Sequence, residues 1–322
     1  MTARRVLVTG AGGYLGRQVV ERLTELPAEQ RPQWLVAHDL RAPAQPLPGV
    51  EYATGDIRAP ELGDVIARHR IDTVVHLAAI VTPGRQSNRA LEYDVDVNGT
   101  RNLLSACVRH GVRRLVVSSS GAAYGYHADN PPWLTEDMPV RGNEVFPYSF
   151  HKRLVEEMLA EYRAQHPGLE QVVLRIGTIL GATVRNQITD LFEKPRLLAI
   201  AGAESPFVFI WDQDVVAIIL RAIGDGPAGI YNVAGDGALT LREIAQRLGK
   251  RRLVLPARLL KGALALLKPL GLTQYGPEQL DFLRYRPVLL NTRLKTLFGY
   301  TPRLTSAQVF DLYREARRGH LP

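Results

Sequence analysis

Tyr148 and Lys152 stand four residues apart in "PYSFHKRLVEE", a stretch patterned as a helix. At that spacing a phenol and an ammonium share one helix face. A free tyrosine titrates at about 10 and is a poor base at neutral pH, but a cationic neighbour favours its phenolate. Such a phenolate can take a proton from a hydroxyl. Upstream, "SSSGAAYG" ends a strand-like run and places Ser120 where open α/β sheets bind ligands. Its hydroxyl can hold a substrate oxygen. A Tyr-Lys pair at this spacing arises easily by chance, so its meaning rests on what precedes it.

What precedes it is "VTGAGGYLGRQVV", with Gly10, Gly13 and Gly16 in G-x-x-G-x-x-G spacing and Tyr14 and Leu15 between the last two. Glycines let the backbone turn sharply and approach a pyrophosphate, which then rests on the free N–H groups of the following helix. The strand "RRVLVTG" before the loop and the helix "GRQVVERLTEL" after it supply the required context. No Gly-Lys-Ser/Thr follows, which disfavours a P-loop. At the end of the second strand, Asp39, followed by Leu40, is placed to bind both hydroxyls of an adenosine ribose. A carboxylate there repels a 2'-phosphate and favours NAD over NADP, a preference that Arg41 would soften. With an oxidised nicotinamide nearby, the phenolate reading becomes an oxidation: the proton goes to tyrosine while hydride leaves the same carbon for the cofactor.

These residues need a scaffold. Apolar strand runs alternate with helical patterns: "QWLVAHD", "VEYATGD", "PELGDVIARHR", "DTVVHLAA", "NGTRNLLSACVRHG", "VRRLVVSSS" and "QVVLRIG". Strands separated by helices of that length imply βαβ units and a doubly wound, Rossmann-type parallel sheet. Residues 1–175 read as the NAD-binding domain, with returns to the sheet within 205–235. Residues 176–322 read as a smaller, mostly helical substrate lobe built from discontinuous segments. Thr240 with Glu243, and Thr305 with Gln308, have capping-box spacing.

The chain of 322 residues carries a net charge of +8, which favours anionic ligands such as pyrophosphates. Nucleic acid is not indicated, because the arginines are scattered and no dense basic run interleaved with aromatics occurs. The single cysteine, Cys107, excludes an internal disulfide and fits a reducing cytoplasm. The first residues pass directly into a strand, which leaves no room for a signal peptide. "LPARLLKGALALLKPLGL", from Leu255 to Leu272, is interrupted by Arg258, Lys261 and Lys268 and cannot span a bilayer. It reads as a helix packed on the cleft, or as an interfacial helix in peripheral membrane contact. His76 and His151 belong to no metal-ligand spacing and read as structural, and Asp94 and Asp96 read as capping or solvating a helix start.

The sequence resembles the extended short-chain dehydrogenase/reductases, also called the NAD-dependent epimerase/dehydratase family. "TGAGGYLG", "GDI" at Gly55–Ile57, "HLAA" at His76–Ala79, "DVNGT" at Asp96–Thr100, "SSSGAAYG" and "YSFHK" carry the resemblance. It implies that Asp56 and Ile57 flank the adenine and that Leu77, Ala78 and Ala79 line the cofactor path, with Ile176 and Thr178 at its far end. It implies that Asn98 stabilises the helix beneath the active site, and that Ser120, Tyr148 and Lys152 form the catalytic set. Lys152 would also hold the nicotinamide ribose. Val81, Tyr124, Thr178, Phe207 and Trp211 would face the substrate. Homodimers through a four-helix bundle are common in this family.

The departures bear on the reaction. The family's dehydratases carry an Asp-Glu pair where this chain has Gly121 and Ala122, so that elimination is not expected. Nucleotide-sugar epimerases usually place an Asn and an Arg where this chain has Thr178 and Phe207. Loss of that arginine removes a phosphate-gripping fork and supplies an apolar wall. The leading expectation is therefore hydride transfer between NAD and a secondary alcohol or ketone with apolar surface. A UDP-sugar epimerase with transient oxidation, and a non-catalytic NAD-binding scaffold, are the alternatives.

Overall fold

The computed structural model describes residues 4–81, 88–267 and 280–318. Seven strands form one parallel sheet: β1 (Arg5–Thr9), β2 (Trp34–Asp39), β3 (Glu51–Thr54), β4 (Thr73–His76), β5 (Arg114–Ser120), β6 (Glu170–Ile176) and β10 (Gly229–Val233). Their order is β3-β2-β1-β4-β5-β6-β10. In β1 and β4 the apolar residues are buried on both faces of the strand, as a sheet covered by helices on each side requires.

One face is covered by α1 (Tyr14–Glu25) and α7 (Asp212–Ile223). Val19, Val20 and Leu23 of α1 and Val215, Val216 and Ile219 of α7 share a core with Val6, Val8 and Val116. The other face is covered by α2 (Glu61–Arg68), α4 (Gly99–Arg109) and α5 (Pro147–Gln165), through Leu62, Ile66, Leu103, Leu104, Val155 and Leu159. Strand order reverses between β1 and β4, which opens a crevice at their carboxyl ends. The glycine loop leaves β1 at that point.

The expected return to the sheet is half realised. "GIYNV" joins the main sheet as β10, beside β6. "FIW", as β9 (Phe209–Trp211), instead pairs with β7 (Thr178–Leu180) outside it. The core of the main body also takes Leu294 and Phe298, from and just after α11 (Thr292–Thr296). The second lobe is less purely helical than its sequence suggested. Besides α6 (Gln187–Glu193), α8 (Leu241–Leu248) and α12 (Ser306–Arg318), it contains a parallel pair, β8 (Arg196–Ile200) with β11 (Arg251–Leu255). Phe192, Phe207, Phe209, Phe310 and Tyr313 form its aromatic core. Both capping boxes are present: Thr240 Oγ1 accepts from the Glu243 N–H at 3.2 Å, and the Thr305 N–H donates to Gln308 Oε1 at 2.9 Å.

Candidate active site

The cofactor groove begins at the glycine loop. Gly10 has φ +71°, and a Cβ there would lie 2.6 Å from the Ala78 nitrogen. A Cβ on Gly16 would lie 2.1 Å from the Gly10 carbonyl oxygen. Neither position tolerates a side chain, so the loop closes tightly over the segment Leu77–Ala79. Gly13 caps α1 without a side-chain hydrogen bond, which leaves the amides of Tyr14 and Leu15 free of any side-chain cap at the helix N-terminus. Asp39 reaches back across the loop: its Oδ2 accepts from the Gly12 N–H at 2.9 Å and its Oδ1 from the Leu40 N–H at 2.8 Å. A dinucleotide with an unphosphorylated ribose fits this cradle.

Other groups expected along the groove are engaged by the protein. The Tyr14 hydroxyl donates to Asp212 Oδ2 at 2.5 Å. Burial and that carboxylate push the phenol up to about 12. Asp56 is gripped by Arg58, at 2.9 Å through Nε and 2.6 Å through NH2, which pulls its carboxyl down to about 2. Ile57 is buried under Gly99, and Ile176 is buried at the end of β6. Leu40 and Val81 are exposed, and Thr178 opens β7 half-buried.

Ser120, Tyr148 and Lys152 come from two elements that the structure fastens together. Ser120 ends β5, and its Oγ accepts from the Ala122 N–H at 3.1 Å, opening a 3-10 turn over Gly121–Tyr124. That bond uses an oxygen lone pair, so the hydroxyl hydrogen remains to donate to a ligand. α5 begins with Pro147 in its first turn, which presets the helical φ just before Tyr148. Ser149 Oγ donates to the Ala122 carbonyl at 2.6 Å and ties α5 to the serine turn. Lys152 Nζ donates to the Ser118 carbonyl at 2.9 Å and lies 5.7 Å from the centre of the Tyr148 ring. The lysine is thus clamped between strand and helix.

Beneath Lys152 lies a cavity of about 10 Å³, room for one water, lined by His76, Asp96, Thr100, Ser118 and His151 among others. His76 is wedged between Thr9 Oγ1 at 2.8 Å and Thr100 Oγ1 at 3.0 Å. Burial, then the nearby Lys152 charge, push it down to about 3. A neutral imidazole is therefore built in beside the lysine.

Several expectations need correction. Asn98 is exposed and donates to Asp94 Oδ1 at 2.8 Å, so it does not support the floor of the site. Asp96 does, although its sequence position suggested a solvated cap. Its Oδ1 accepts from the Ile80 N–H at 2.8 Å and its Oδ2 lies 3.0 Å from His151 Nδ1. A π-helical turn over Asp94–Asn98 inserts an extra residue and rotates Asp96 inward. Tyr124 is not at a substrate surface: it is 1% exposed, and its hydroxyl donates to Asn232 Oδ1 at 2.9 Å while accepting from Arg175 NH1 at 2.8 Å. Phe207 is likewise no pocket wall. It is 3% exposed and stacks on Phe209, with ring centres 5.7 Å apart. Trp211 is half-buried under Arg303, 4.6 Å from its ring centre.

Two features carried no signal in spacing or periodicity. Arg175 and Glu156 form a fully buried ion pair, at 2.6 Å through NH2, that also receives Ser119 Oγ at 2.5 Å. This pair locks β5, β6 and α5 together directly behind Ser120. Arg286 lies over two rings, 4.0 Å from the centre of Phe207 and 4.3 Å from that of Phe282. It has no carboxylate partner among the described residues, and its Nε has no hydrogen-bond partner. Desolvation by these surroundings pushes it down to about 10, so it is a cation at neutral pH. Phe282 in turn packs on Tyr126 and on Phe146, the residue that caps α5, with ring centres 5.1 and 5.3 Å apart, so the guanidinium stands one aromatic layer from the start of that helix.

The family model described as "NAD dependent epimerase/dehydratase family" matches residues 6–234. The chain belongs to the NAD-dependent epimerase/dehydratase family. This is a family of enzymes, and the glycine cradle and the seven-stranded sheet are the parts of the chain that suit its cofactor. An uncharacterized protein of Mycobacterium tuberculosis is 29% identical over 97% of this chain and 84% of its own length. A UDP-glucose 4-epimerase of Azospirillum brasilense is 37% identical, over 55% of this chain and 50% of its own. The solved UDP-glucose 4-epimerase of Thermus thermophilus, in complex with NAD, superposes with a TM-score of 0.73 at 26% identity, covering 98% of this chain and all of that one.

Proposed function

We propose that the protein is an NAD-dependent sugar epimerase whose substrate is carried on a nucleoside diphosphate, with UDP-sugars as the class to test. Arg286 carries this reading. A guanidinium held on two aromatic faces, with no carboxylate partner among the described residues, is arranged to receive an anion with fork geometry. The argument for an apolar substrate rested on Phe207 as a wall, and Phe207 instead braces Arg286 from below. Similarity to two UDP-glucose 4-epimerases supports the same choice.

NAD, held by Gly10–Gly16 and Asp39, supplies the hydride acceptor when bound. The chain's own residues do the rest. Ser120 donates its free hydroxyl hydrogen to the substrate oxygen, and Tyr148 takes the proton from that oxygen. Lys152, anchored on the Ser118 carbonyl, keeps a cation beside the phenol. Net oxidation of a secondary alcohol would use the same three groups, and one assay separates the two reactions. Conversion of UDP-glucose or UDP-glucuronate without net NADH absorbance is the expected result. Net NADH production from an added alcohol, with no UDP-sugar conversion, would replace the epimerase reading by dehydrogenase. Arg286→Leu should weaken UDP-sugar binding about ten- to hundred-fold while leaving NAD affinity unchanged.

A homodimer through α4 and α5 is part of the proposal. Their outward faces carry opposite charges, Arg101 and Arg109 on α4 and Glu157 and Glu161 on α5. Sedimentation showing a monomer at all concentrations would remove it.

A further inference from the structure

Between Glu243 and Glu278 the sequence contains seven basic residues and no acidic one. Arg247 is paired with Asp311 and Lys250 donates to the Phe192 carbonyl at 2.6 Å, so these two are spent inside the lobe. Arg251, Arg252, Arg258 and Lys261 are exposed and make no ion pair among the described residues. They surround α9 (Ala257–Leu267), the described part of the Leu255–Leu272 stretch; residues 268–272 lie outside the described residues.

α9 is not packed on the cleft along its length. Leu260 and Leu264 turn partly inward, while Leu259, Gly262, Ala263 and Leu266 occupy the opposite face at i, i+3, i+4 and i+7, all exposed. Leu259 is 67% exposed and Leu266 71%. Leu253 and Val254, on β11 just before the helix, are 41% and 50% exposed. An apolar face flanked by four exposed cations that make no ion pair among the described residues is costly in water and matches one kind of surface. No described helix is long and apolar enough to cross a membrane, so α9 would lie flat on it.

We infer that α9 and β11 form a docking face for an anionic lipid bilayer. Leu259 and Leu266 enter the acyl boundary, and Arg251, Arg252, Arg258 and Lys261 meet the headgroups. The charges single out a membrane over a second copy of this chain, because two such faces brought together would repel. The inference stands apart from the catalytic reading, since none of these residues belongs to the site.

Co-sedimentation of the full chain with vesicles of phosphatidylglycerol and phosphatidylcholine in equal parts tests it. Binding is expected to those vesicles, to fall steeply with added salt, and to be absent with phosphatidylcholine alone. The double variants L259E/L266E and R258E/K261E should each lower partitioning at least about tenfold, with unchanged melting temperature and turnover on soluble substrate. No binding to the anionic vesicles, or equal binding by both variants, overturns the inference. So does a stable dimer that L259E/L266E dissociates, which would assign the face to a second copy.

Discussion

Lowering the pH from 7.5 to 5 should cost this protein about 2 kcal/mol of stability through His76 alone. In the unfolded chain an imidazole titrates at about 6.5, so at pH 5 it is protonated about thirty times more often than not. In the folded state His76 is enclosed, bonded to Thr9 and Thr100 on its two nitrogens, and titrates at about 3. The folded form therefore stays neutral at pH 5 while the unfolded form gains a proton. RT ln 30 is about 2 kcal/mol, the loss reached by pH 5; it sets in as pH falls through about 6.5, grows further towards 3, and vanishes well above 6.5. Two other groups push the same way. Burial also lowers His38, and Asp56 is held low by Arg58, although the latter acts only below about pH 4. The assay is urea unfolding of wild type and His76→Asn at both pH values. Asparagine removes the titration, so the variant should lose about 2 kcal/mol less than wild type over this range, whatever its stability at pH 7.5. Equal losses in the two proteins would show that His76 is not held neutral, and would undo the picture of a neutral imidazole beside Lys152.

Glu156→Ala strands the buried Arg175 guanidinium and the Ser119 hydroxyl, and should destabilise the fold by about 3–5 kcal/mol in urea unfolding. A loss below about 1 kcal/mol would mean that water reaches the pair. Tyr148→Phe should lower turnover at least about a hundredfold with NAD affinity retained, since the phenolic oxygen carries the proton and no described contact to the groove is lost. Wild-type rates would remove it from the mechanism. Asp39→Ala deletes the acceptor of the Gly12 and Leu40 amides. The NAD-over-NADP affinity ratio, measured by fluorescence titration, should fall about tenfold or more, and an unchanged ratio would exclude the carboxylate from ribose recognition.

How much of this was legible in the sequence follows from which interactions are local. The sheet, the glycine loop and the two capping boxes were legible, because periodicity and turn chemistry act over a few residues and the structure obeys them at Val6–Thr9, Gly10–Gly16 and Thr240–Glu243. Asp96 and Asn98 mark where that kind of reading fails. They lie two residues apart in "DVDVNGT", and regular helical periodicity gives no reason to bury the first and expose the second. The π-helical turn at Asp94–Asn98 adds one residue to the winding and exchanges their roles, and it is closed only by partners 16 and 55 residues away, Ile80 and His151. Phe207 fails for a related reason. The sequence placed it against the substrate, yet burial is decided by what packs from elsewhere: Phe192, Phe209 and, from 79 residues further on, Arg286. A lost charge at 207 therefore reads as an apolar pocket in sequence and as the seat of a distant cation in the fold. The proposed substrate class turns on that difference, because the same phenylalanine that argued against a phosphate is the aromatic face under a guanidinium that has no carboxylate partner among the described residues.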